Sequence, residues 1–77
     1  MLKTGSMARI YEIVKERLLS DGELMVKTET GDTFELHRHN TEWDDENGII
    51  KINGSDETIW IVAEKIEQWW IHRRARD

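Results

Sequence analysis

Residues 58–72 constrain this chain more than any other stretch. They read Thr58, Ile59, Trp60, Ile61 and Val62, then Ala63, Glu64 and Lys65, then Ile66, Glu67, Gln68, Trp69, Trp70, Ile71 and His72. Three of the four tryptophans and five large aliphatic side chains gather here, so a fold has to bury most of the segment. Residues 58–62 read as a strand. Ala63-Glu64-Lys65 reads as a single turn, and residues 66–72 as a last strand, because Trp69, Trp70 and Ile71 are a run of strand formers. A strand turns Trp69 and Trp70 to opposite faces. The alternative is a helix over residues 63–76 packed on a four-stranded sheet, where Ile66, Trp69, Trp70 and Arg73 share one face.

What can cover this segment is limited by size. The 77 residues make one domain near the lower end of what folds alone. A core this small holds about 3–5 kcal/mol unless a staple, metal or partner adds to it. Cysteine and proline are absent, which excludes disulfides and thiolate metal sites. The net charge of −5 favours solubility and argues against an all-over basic nucleic-acid binder, although not against a local basic patch. No apolar run reaches the ~20 residues of a membrane-crossing helix; a cytoplasmic protein with no membrane partner is expected. Gly5-Ser6-Met7 reads as the joint between a fused tag and a native start. Residues 1–6 are therefore assigned to a tag or disordered N-terminus, and residues 7–77 to the domain.

The rest of the chain supplies the cover. Residues 7–19 read as a helix, with Met7, Ile10, Tyr11, Val14 and Leu18 in one apolar stripe, Ser6 suited to the N-cap and Gly22 to the stop. Residues 23–28 and 32–39 read as a β-hairpin. A three-residue turn with Gly31 left-handed pairs Val26 with Phe34 and Leu24 with Leu36, whereas a two-residue turn would spread apolar side chains over both faces. Glu23 then faces His37 on the outside, with Met25 beside Glu35. Residues 40–48 read as a polar connection carrying Trp43 among acids. Residues 49–53 form a strand whose Ile50 and Ile52 meet Ile61 and Ile59, with Lys51 across from Trp60. The fold class is α+β: an N-terminal helix and a strongly bent antiparallel sheet, or small barrel, of four to five strands.

This order of elements, and above all the strand, tight turn and strand of residues 58–72 with Ile66-Glu67 opening the last strand, resembles the small Sm-like and SH3-like barrel proteins. The resemblance implies architecture only. An Asp-Gly-Arg type sequence after the first strand is missing, and acids rather than a basic pair follow Asn53-Gly54, so the RNA-binding signature of Sm proteins is not carried over.

The candidate functional residues fall into three groups. Trp43, Trp69, Trp70 and Met25 are candidates for a protein interface, because tryptophans outnumber the places a small core can hide them. Open edges at the second and last strands offer a route to self-association by strand addition. Arg38, Arg73, Arg74 and Arg76 are candidates for a nucleic-acid contact beside an exposed tryptophan. His37, His39 and His72, with an acid such as Asp44, are the only set that could serve a metal-sensing role, and their spacing matches no local zinc motif. No metal or other cofactor is expected. No cysteine nucleophile, glycine-rich phosphate loop or metalloprotease helix motif is present, so catalysis is not expected. The leading expectation is a non-catalytic interaction module that forms a homo-oligomer or binds a protein partner, ahead of a nucleic-acid-binding role.

Overall fold

The computed structural model describes residues 9–72. The expectations placed on Ser6, Met7, Arg73, Arg74 and Arg76 lie outside that range. Helix α1 spans Ile10–Asp21 and buries Tyr11, Val14 and Leu18. Six strands follow: β1 Glu23–Thr28, β2 Thr33–His37, β3 Thr41–Asp44, β4 Ile49–Asn53, β5 Thr58–Val62 and β6 Ile66–Trp70. They form two antiparallel sheets of three strands, in the orders β2-β1-β6 and β3-β4-β5. Side chains of both sheets and of α1 make one core, including Leu18, Leu24, Val26, Leu36, Ile50, Ile61 and Ile66.

Glycine chemistry explains two of the joints. The Gly22 N–H donates to the Leu18 carbonyl at 2.8 Å with φ +90°, which ends the helix in the left-handed stop anticipated from sequence. Gly31 takes φ +93° in the β1–β2 turn, where its N–H donates to the Thr28 carbonyl at 2.9 Å. The bulged register follows: Val26 faces Phe34, Leu24 faces Leu36, Met25 faces Glu35 and Glu23 faces His37. The β4–β5 register likewise sets Ile50 against Ile61, Ile52 against Ile59 and Lys51 against Trp60.

Three expectations are corrected. The helix over residues 63–76 does not form in the described range; Ala63–Lys65 is one 3-10 turn and β6 pairs with β1, Val26 facing Trp69. The connection over residues 40–48 is not all loop. Its first half is β3, pairing Thr41 with Ile52 and Trp43 with Ile50. The bent sheet or closed barrel of four to five strands is replaced by two separate sheets of six strands in all, which do not close. The chain changes sheet at a 3-10 turn, Arg38–Asn40, and again at Ala63–Lys65. Both corners break the ladder.

Candidate functional site

The strand reading of the last segment separates the two adjacent tryptophans. Trp69 packs against the core, while Trp70 lies opposite Met25 on the outer face of the β2-β1-β6 sheet. Trp70 and Met25 are both half-buried. Trp43 is held by α1: its ring meets Tyr11 edge-on at 5.8 Å between centroids, and the Lys15 Nζ lies 5.8 Å from its centre. The next residue but one ties the same knot. Asp45 accepts hydrogen bonds from the Tyr11 hydroxyl and from Lys15 Nζ, the latter at 2.8 Å. These bonds hold the Asp45 carboxyl below the usual carboxylate range, Lys15 first and Tyr11 second. Asp44 is also held low, by bonds from the Asn47 side chain and backbone across the β3–β4 turn. The acids around Trp43 therefore fasten a turn and a helix.

Arg38 is engaged as well. Its Nε donates to the Leu19 carbonyl at 3.2 Å, supplying a cation to a helix whose own last turn has none. The guanidinium proposed for phosphate contact is thus spent in part on the end of α1, and the other three arginines lie outside the described residues. The histidines come closer together than their spacing suggests. His37 and His39 stack at 5.5 Å between ring centroids, although His39 sits in the 3-10 turn rather than on the strand. His72 lines a shallow crevice with Glu23, Met25 and Glu35. Asp44, on the other sheet, takes no part.

The most exposed apolar surface lies on β5, where Ile59 and Ile61 turn toward the core and Trp60 takes the outer face over Lys51, as the register implied. Trp60 is 63 % and Val62 48 % exposed, on the outer face of an edge strand. Lys51 covers part of the Trp60 ring, its Nζ 5.9 Å from the ring centre and 3.7 Å from a Glu42 carboxylate oxygen. Beside β5 runs an open groove of about 410 Å³, with Phe34, Ile59 and Val62 among its walls and Glu29, Asp32 and Lys65 along its rim.

Edge strands of stable proteins are normally protected by charges. Here β2 carries Glu35, β3 carries Glu42 and Asp44, and β6 carries Glu67, while β5 carries no charged residue. That contrast was legible as the bare pattern Thr-Ile-Trp-Ile-Val, but only once β5 is known to be an edge. Comparisons with protein-family models, curated proteins and solved structures find no match to this chain.

Proposed function

We propose that this protein is a non-catalytic interaction module that self-associates by pairing β5 with β5 of a second copy. The observation that carries the reading is the single unguarded edge among the described strands, faced by exposed Trp60 and Val62. Antiparallel pairing of one strand with its own copy is isologous, so the same patch serves both partners and the assembly closes as a dimer. Centred on Trp60, the pairing sets Trp60 against Trp60 of the copy, Ile61 against Ile59, and Val62 against Thr58. Cross-strand aromatic and β-branched pairs of this kind favour sheet association. The β3-β4-β5 sheets of the two copies become one sheet of six strands, and the Trp60 and Val62 side chains gain neighbours across the new seam.

The edges of β2 and β6, anticipated as the route from sequence, are less suited because Glu35 and Glu67 interrupt them. Sedimentation velocity tests the proposal. The protein is expected to be dimeric at tens of micromolar, and Trp60→Lys to be monomeric with an unchanged far-ultraviolet circular dichroism spectrum. A monomeric parent protein, or a Trp60→Lys variant that remains dimeric, overturns it.

A further inference from the structure

We propose that Glu23, Glu35, His37 and His72 form a binding site for a divalent transition metal of the zinc type, which clips the three strands of the β2-β1-β6 sheet together. Three of these residues are gathered by strand register. Glu23 faces His37 and Met25 faces Glu35, so Glu23, Glu35 and His37 share the outer face of one sheet. His37 stands between the two carboxylates. Its Nε2 is 3.1 Å from a Glu35 oxygen and its Nδ1 4.0 Å from a Glu23 oxygen. One donor atom from each of the three lies within 4.8 Å of the other two.

The fourth donor of the proposal lies on the far side of β1, outside the cluster of three. The β1–β6 ladder pairs Met25 with Trp70, and continuing it by two residues brings His72 level with Glu23. His72 indeed lines the same crevice as Glu23 and Glu35. The backbone under His37 is fixed, since its N–H donates to Asn40 Oδ1 at 3.0 Å. His39 stacks on the His37 ring and limits its swing.

Donor chemistry selects the class of ion. Two imidazoles and two carboxylates suit zinc and its first-row neighbours, whereas calcium and magnesium ask for shells made of oxygen. Tetrahedral zinc with bonds of about 2.0–2.1 Å places its donors roughly 3.4 Å apart. Reaching that value asks the Glu23 and Glu35 carboxylates, which now meet opposite nitrogens of His37, to converge on one of them, and both carboxylates are more than a third exposed. A metal here joins β1, β2 and the residues just after β6. This is the kind of staple that a domain with so small a core can use.

The test is a calorimetric titration of the full chain with zinc alone, alongside thermal unfolding. One ion per chain is expected to bind, and at a hundredfold excess over the dissociation constant the folded-to-unfolded ratio rises about a hundredfold. His37→Ala, Glu35→Gln and His72→Ala are each expected to weaken binding at least tenfold, while His39→Ala leaves it within about twofold. All four positions are at the surface, so the variants keep the parent circular dichroism spectrum. Absence of 1:1 zinc binding below 100 micromolar (a concentration on the order of the weakest useful metal site) overturns the proposal, as does binding that survives both His37→Ala and Glu35→Gln. The site and the β5 edge lie on different sheets, so Trp60→Lys is expected to bind zinc normally, and either proposal can fail without the other.

Discussion

Ile50→Ala is expected to leave the chain largely unfolded at room temperature. Ile50 is fully buried on β4, the central strand of its sheet, with Trp43 opposite on one side and Ile61 on the other. Shortening a buried isoleucine to alanine costs about 2–5 kcal/mol, because the lost methyl groups leave a cavity that neighbouring strands cannot fully close. A core of this size holds only about 3–5 kcal/mol in total, so one substitution removes most or all of the margin. The measurement is urea unfolding followed by far-ultraviolet circular dichroism, made in the Trp60→Lys background so that dissociation of the proposed dimer does not contribute. Val62→Ala in that background is the control. Val62 is 48 % exposed, and such surface changes stay within about 0.5 kcal/mol. A cooperative transition for Ile50→Ala near the parent midpoint would show that the β4 layer is not what holds the fold.

The isoleucine layer was legible from sequence because alternation and the turn at Asn53-Gly54 leave few registers for β4 and β5. Gly31 did the same for β1 and β2: the turn demands a left-handed residue, and only one register then keeps Val26 and Leu24 on the inside with Phe34 and Leu36. Choosing strand over helix after Lys65 depended on Trp69, Trp70 and Ile71, whose bulk outweighed the helix formers around them. β3 was missed for a physical reason. It is four residues long and points only Thr41 and Trp43 inward, while Glu42 and Asp44 take the outer face. Two inward positions are too few for an alternation signal, and the charges that protect an edge are the same charges that make it look like a loop.

Sheet closure was not legible at all. Pairing rules state which residues face each other but not how far each sheet twists, nor that a 3-10 turn breaks the Arg38–Asn40 corner, although the turn at Ala63–Lys65 was read from the sequence. The same gap hid the open edge of β5. Thr58–Val62 looks like the most buriable segment in the chain, and Ile61 is indeed buried. Because the chain crosses from β5 to pair β6 with β1, one side of β5 is left without a neighbour in the β3-β4-β5 sheet. Composition could not reveal that. The histidine and glutamate cluster was half legible, since the hairpin register already put Glu23 opposite His37. His72 joined it only once β6 was known to run alongside β1.

Tyr11 is expected to ionise only as the protein unfolds. Burial, the hydrogen bond to Asp45 and the negative charges of Asp45 and Asp44 all push its hydroxyl well above the ordinary value, while Arg9 opposes weakly. The unfolded chain therefore loses this proton first, at about pH 10. Stability from the Tyr11 contact is complete below that pH and is lost as pH rises through the higher folded value. Asp45 and Asp44 act at the other end. Their folded values are depressed, so their contribution is present above the unfolded value of about 4 and is lost as pH falls through the folded ones. The contribution of these three groups is thus expected to be flat from about pH 5 to pH 9 and to decline on both sides. Tyr11 is the only tyrosine, so near-ultraviolet phenolate absorbance reports it without ambiguity. That signal should rise together with the loss of far-ultraviolet ellipticity, and not before it. Asp45→Asn removes the charge while leaving an acceptor, and is expected to bring the onset of phenolate down toward the ordinary range and to blunt the acid limb. Free titration of Tyr11 near pH 10 in a protein that keeps its ellipticity would mean that the helix is not locked to the β3–β4 turn through this contact.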